Sequence, residues 1–262
     1  MSERVRFERP PVIEVVCGVL FGNLLKLRTA HVGAFWERVR AEFPEVVEAP
    51  PMLPVVEGSE GPSGIQVEFV PIPPLPRTWL IAADDESLIQ IQRDRFAFNW
   101  RRKSPDDGPY PSYDHVIVEF EKRYAQFESF LSKENIGEVA LRQFELTYSN
   151  SISVAEIPSG EEVLSDHIRD SSRARFLPKA ESFEWRTSYA LPDTNGRLHV
   201  QAVSGRDLSS GEPLIRLDLT ARGINQDTNM RVWFDLAHEW IVNGFADITT
   251  EAMQRQVWRR IS

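Results

Sequence analysis

A chain of 262 residues, 42% of them hydrophobic, is long enough to bury a sizeable core as one large domain or as two coupled halves. Its 30 Lys and Arg against 39 Asp and Glu give a formal charge of −9, a field that opposes a nucleic-acid polyanion unless the basic residues gather on one face. No apolar run reaches the roughly 18–20 residues that span a bilayer, "MSERVRFERPP" carries charge where an export signal needs apolar residues, and the single Cys17 cannot form an internal disulfide; the expectation is a cytoplasmic protein with no membrane segment.

In chain order, "PPVIEVVCGVLFG" is a β-branched run entered through a proline pair, which predicts a buried strand over residues 12 to 21. "TAHVGAFWERVRAEFP" follows, with Thr29 as N-cap, apolar residues at Val32, Phe35, Trp36, Val39 and Phe43, and Pro44 as the stop of a helix. The prolines and glycines of "EVVEAPPMLPVVEGSEGPSG" predict a loop with no regular element. "IQVEFV" reads as a short strand and "PIPPLPR" as an extended connector.

The stretch "LIQIQRDRFAFNW", residues 88 to 100, changes parity. Ile89 and Ile91 put the apolar set on odd positions, whereas Phe96, Phe98 and Trp100 put it on even ones, so one flat strand would send half of them to the wrong face. A tight hairpin at Arg93 and Asp94 resolves this, and a β-bulge at the same place is the alternative; the hairpin is favoured because Asp suits a tight turn and the flanking strands match in length. With a first turn at Asp84, Asp85 and Glu86, residues 78 to 101 become a three-stranded meander. A long helix follows "YPSY", with Val116, Phe120, Tyr124, Phe127 and Leu131 on its apolar face and a stop at Asn135 to Gly137.

The order then repeats: a strand in "EVALRQFELTYSNSIS", a short helix opened by Ser159, strands in "SFEWRTSYAL", "RLHVQAVSG" and "LIRLDLTARG", and a long helix in "NMRVWFDLAHEWIVNGFADI". A last short helix, "TEAMQRQVWRR", starts after an N-cap threonine at 249 or 250. Two similar strand-helix-meander-helix halves, residues 1–137 and 138–262, are expected to share one antiparallel sheet of about eight strands packed against two long helices, an α+β fold. The elements do not alternate one by one, which argues against a doubly wound parallel sheet.

"PPVIEVVCGVLF", "LIQIQRDRFAFNWRR" with "YPSY", and "LAHEWIVNGFADITTEAMQRQVWRR" together resemble a sporadically distributed family of uncharacterised bacterial proteins of about this length. The resemblance covers essentially the whole chain. It implies no reaction, cofactor or catalytic residue; such patchy distribution accompanies mobile or defence-related gene neighbourhoods.

Chemistry-bearing groups are sparse. Arg93, Arg95, Arg101, Arg102 and Lys103 interleave with Phe96, Phe98 and Trp100, a composition that suits single-stranded nucleic acid, but parity places the aromatics on one side of the strand and Arg95, Asn99 and Arg101 on the other. The Arg95 face remains a candidate for binding an anion, and Asn99, Arg101 and Arg102 of "NWRR" with Tyr110 and Tyr113 of "YPSY" form a candidate anion clamp or, as the favoured alternative, a structural tie. "DLAHEW" begins like a zinc-protease helix, but the second histidine that motif needs is Val242 here, so no metal site is expected. Cys17 sits inside an apolar run where thiols are inert, and His31, His115, His167 and His199 pair with nothing recognisable; "EGSEGPSG" lacks the lysine and helix of a phosphate loop.

No catalytic residue and no cofactor is therefore assigned. The expected function is a non-enzymatic binding or regulatory module acting through a protein partner or self-association. The alternatives are a small-ligand pocket between sheet and helix lined by Trp79, Phe98, Trp185 and Trp240, and nucleic-acid binding through the Arg93 to Lys103 hairpin.

Overall fold

The β-branched run becomes β1 (Val12–Phe21), and "TAHVGAFWERV" becomes α1 (Thr29–Val39). The computed structural model describes residues 5–58, 64–65, 75–103, 108–159, 162–165, 181–192, 196–208, 210–223 and 229–262. Thr29 is the first helical residue of α1, and Arg28 takes the N-cap position expected for it, its backbone N–H donating to His31 Nδ1 at 3.1 Å. The expected loop after α1 contains β2 (Glu45–Ala49), which pairs with the meander, and β3 (Val55–Val56), which pairs with β4 (Gly64–Ile65). Most of "IQVEFV" and "PIPPLPR" lies outside the described residues.

The meander is present as β5 (Arg77–Ile81), β6 (Ser87–Gln92) and β7 (Arg95–Arg101). Gln92 pairs with Arg95 across the Arg93–Asp94 turn, so the parity change is the hairpin and not the bulge. Then come α2 (Tyr113–Lys133), β8 (Leu141–Ser153), β9 (Glu184–Ala190), β10 (Arg197–Arg206), β11 (Pro213–Gly223) and α3 (Met230–Ile248). The short helix expected from Ser159 lies largely outside the described residues, and Leu164, within its span, bridges to Thr249 as extended chain. After α3, Thr250 Oγ1 accepts from the Met253 N–H at 3.4 Å, as a capping threonine should, but the turn it opens widens into a π-helical one at Met253–Val257.

Nine of the eleven described strands form one sheet in the order β2-β5-β6-β7-β1-β8-β11-β10-β9, every neighbouring pair antiparallel. The protein is α+β. At the centre β1 pairs β7 on one side and β8 on the other, which sets Val15 between Trp100 and Tyr148, Cys17 between Phe98 and Leu146, and Val19 between Phe96 and Phe144. These inward side chains meet the helices: α2 contacts β7 and β1, and α3 contacts β11, β8 and β10. Phe96 stacks on Phe127 of α2 at 5.0 Å, and Phe120 of α2 meets Phe234 of α3 at 5.1 Å, so both helices close on one core. Each buried aromatic contributes roughly 1.5–3 kcal/mol by leaving water.

Candidate functional site

On the helix side, three tyrosines and a histidine converge where β8, the turn before α2, and α3 meet. Tyr148 faces inward on β8 opposite Val15. Tyr110 packs its ring 5.2 Å from Trp100 and brings its hydroxyl to 2.7 Å from the Tyr148 hydroxyl. Tyr113, the first residue of α2, donates its O–H to Asp235 Oδ1 at 2.9 Å and lies flat on the His238 ring, 4.0 Å between centroids at 4°. Asp235 also accepts from Arg231 Nε at 3.1 Å, one turn earlier on α3. The residue between these tyrosines on the pocket rim, Ser112, has φ 111° and ψ 157°, a region that only glycine adopts without strain.

These groups border a pocket of about 360 Å³ whose remaining wall is largely apolar, from Phe7, Leu219, Ile241, Val242 and Phe245, with Arg6, Glu8, Asp114 and Asn150 also on its lining. The two end segments of the chain complete it: Val5 to Glu8 and Ile261 lie side by side, joined by the Ile261 N–H donating to Arg6 O at 2.8 Å. The volume falls in the range of small-molecule sites. Burial holds the Tyr110, Tyr113 and Tyr148 phenols well above the ordinary phenol value, so all three are neutral hydrogen-bonding groups, and it pushes the nearby Cys17 thiol up as well. The arrangement can hold a neutral molecule by stacking and hydrogen bonds.

A smaller pocket of about 250 Å³ borders the N-terminal half of α2, with Glu42, Asp84, Glu86, Glu119 and Arg123 on its lining. Buried Arg123 bridges Glu42 and, at 3.1 Å, Glu119. The Arg123 hydrogen bond dominates burial and lowers the Glu42 carboxyl. This network ties α2 to the end of α1.

The opposite face of the sheet is crossed by residues 52 to 58. The Met52 N–H donates to Gln92 Oε1 and Gln92 Nε2 donates to Met52 O, both at 2.8 Å. Farther on, the Glu57 N–H donates to Gln143 Oε1 at 2.9 Å and Gln143 Nε2 to Val55 O at 3.0 Å. The strap ends at Glu57, whose buried carboxylate accepts from His199 Nε2 at 2.5 Å and Arg197 Nη1 at 3.0 Å. Burial would raise this carboxyl, but the His199 and Arg197 hydrogen bonds and the His199 and Arg222 charges leave it below its ordinary value.

The expected clamp residues are divided by the sheet. Asn99 is buried on the strap face, donating from Nδ2 to Glu14 Oε1 at 2.7 Å and accepting from Gln90 Nε2 at 2.8 Å. Arg101 and Lys103 both bind Asp85. Arg95 lies on the same face beside Met52, and Arg102 donates its backbone N–H to Ile13 O at 2.7 Å. Tyr110 and Tyr113 are on the helix side. Phe96, Phe98 and Trp100 are buried in the core, so the aromatic and basic halves of the nucleic-acid pattern face opposite ways. Of the four residues expected to line a ligand cavity, Phe98 borders the smaller pocket, Trp79 stands on the strap face donating to Gln90 Oε1 at 3.1 Å, and none borders the larger pocket. Among the described residues no three His, Cys, Asp or Glu side chains cluster as a metal site. Tyr148 and His238 complete the larger pocket; the only sequence signal for them is that each sits on an inward position of its element, as any core residue would. No family model, curated protein or solved structure matches this chain.

Proposed function

We propose that the chain is a non-enzymatic binding module of a bacterial cytoplasm, and that the tyrosine pocket is its site for a small neutral molecule. The observation that carries this reading is the pocket itself: about 360 Å³, apolar on most sides, with the Tyr110–Tyr148 hydroxyl pair and the Tyr113–His238 stack at one end and a strained Ser112 on its rim. The Tyr110 and Tyr148 hydroxyls satisfy each other and the Tyr113 hydroxyl is committed to Asp235, which suits recognition more than proton transfer. The matching ligand has an aromatic or aliphatic body and one hydroxyl or amide. Naphthol, an uncharged probe of that kind, is expected to bind with one site per chain by fluorescence titration, and Val242→Trp, which fills the pocket, is expected to abolish binding. Equal binding by the variant would overturn the reading.

In the same proposal the two sides of the sheet are related halves, 1–137 and 138–262. Supporting this, β7 pairs β1 as β11 pairs β8, and β5, β6, β7, α2 follow in the same order as β9, β10, β11, α3. The resemblance to the sporadically distributed bacterial family remains part of this reading through its motifs alone.

A protein-partner reading has its own support. On β2, whose outer backbone edge no described strand pairs, Val46 is 46% and Val47 42% exposed, a place where a strand of another chain can add. Self-association through this edge predicts a dimer by sedimentation that Val47→Lys dissociates; a monomeric wild type would contradict it.

A further inference from the structure

The strap face is rich in arginine, and almost every guanidinium there has a carboxylate. Arg101 binds Asp85, Arg197 binds Glu57 at 3.0 Å, Arg216 binds Asp218 at 2.8 Å and Arg222 faces Glu145 at 3.6 Å. Arg77 and Arg95 break the pattern. Strand register places them in one row across three strands, on either side of Gln92: Thr78 pairs Ile91 and Gln92 pairs Arg95. Neither forms an ion pair with a described residue, and the buried Nε of each has no hydrogen-bond partner among them. The side-chain group both reach is the Met52 sulfur, which Arg77 Nη1 abuts and Arg95 Nη1 approaches to 3.8 Å.

A thioether is a weak acceptor and carries no charge, so it does not offset two adjacent guanidinium groups. The neighbouring polar groups are committed elsewhere: Gln92 to the Met52 backbone and to Asp94 Oδ1 at 2.8 Å, and Glu14 to Asn99. Burial and the Arg95 charge disfavour the charged form of Arg77 and outweigh the opposing pull of the Glu14 carboxylate. In a chain with nine more acidic than basic residues, two adjacent cations with no ion-paired acid among the described residues are a departure that an anion would correct. Two planar forks aimed at one point match the oxygens of a phosphate better than a single carboxylate does. The Arg77 guanidinium lies over the Trp79 ring at 5.1 Å, which fixes its plane.

We propose that Arg77 and Arg95 form a cradle for one small phosphate-bearing anion, which enters by displacing the Met52 side chain between them. The ligand is a small molecule: two cations in a strongly acidic chain do not hold a polyanion, and the strap from Met52 to Glu57 lies across the strands along which a polymer would have to run. This cradle is on the face opposite the tyrosine pocket and stands or falls independently of it.

Isothermal titration of inorganic pyrophosphate at low ionic strength is expected to show one site per chain, weakened about tenfold or more in Arg77→Gln and in Arg95→Gln. No saturable heat with the wild type, or unchanged affinity in both variants, would overturn the assignment, as would an oligothymidylate binding more tightly than pyrophosphate. In phosphate-free buffer each variant is expected to melt no lower than the wild type, because it relieves like-charge repulsion. A fall of several degrees in both would mark the arginines as structural and sink the proposal.

Discussion

On the helix side of the sheet, Val15, Cys17, Phe96, Phe98, Phe144 and Leu146 present apolar surface to α2 and α3, and the phenols that enter are neutral, Tyr110 paired with Tyr148 and Tyr113 with Asp235. On the strap side, Glu14, Asn99, Gln92, Gln143 and Arg197 project from the same sheet, and what covers them is the segment of residues 52 to 58, held by hydrogen bonds. The strands are shared; only parity differs. One face gains its stability from burial and keeps a cavity where packing stops at Tyr110, Tyr113 and Tyr148. The other gains it from directed polar contacts, and its exception is a pair of cations with no ion-paired acid among the described residues.

That contrast can be broken from either side. The largest effect is expected at the apolar face: Trp233→Ala empties the volume of a fully buried indole and should cost about 3–5 kcal/mol in urea denaturation. Gly223 makes the room for that indole, since a Cβ there would fall 2.0 Å from Trp233 Nε1. On the strap face, Glu57→Gln should cost roughly 1.5–3 kcal/mol at neutral pH by weakening charged hydrogen bonds to Arg197 and His199. Because the folded carboxyl is held below its unfolded value, this contribution is complete above about pH 4 and is lost as pH falls through the depressed folded value, so the cost of the variant should shrink in acid. A cost independent of pH would place the effect in packing instead.

Smaller changes probe the pocket. Tyr148→Phe removes one hydroxyl of the pair and should cost about 1 kcal/mol while weakening naphthol binding. Ser112→Gly is expected to raise stability by about 1 kcal/mol, since relief of the φ 111° backbone outweighs a capping contact of 3.5 Å to the His115 N–H. If Ser112 is strained for the sake of the pocket, the same glycine should loosen ligand binding as it stabilises the fold.

Much of the sheet was legible in the sequence because period-two alternation survives wherever one face is buried: the odd set at Ile89 and Ile91 and the even set at Phe96, Phe98 and Trp100 lie on one face once the Arg93–Asp94 turn is made. The strand Glu45–Ala49 escaped because an exposed edge imposes no alternation on "EVVEA". The strap escaped because its anchors, Gln92 and Gln143, are 40 and 86 residues away from the atoms they hold. "YPSY" supplied two members of the pocket, Tyr110 and Tyr113. Their partners Tyr148 and His238 arrive only through the β1–β8 pairing and the docking of α3, and nothing local distinguishes them from core residues. The "NWRR" residues pointed to the tyrosines by proximity in the chain, which parity then separated.

The most direct test of the two-faced account is a methyl NMR titration of one labelled sample, with naphthol and then with pyrophosphate. The account predicts that naphthol moves the methyl signals of Ile241 and Val242 and leaves Met52 in place, and that pyrophosphate does the reverse. Naphthol shifts centred on Met52, or scattered over the surface without saturation, would contradict it.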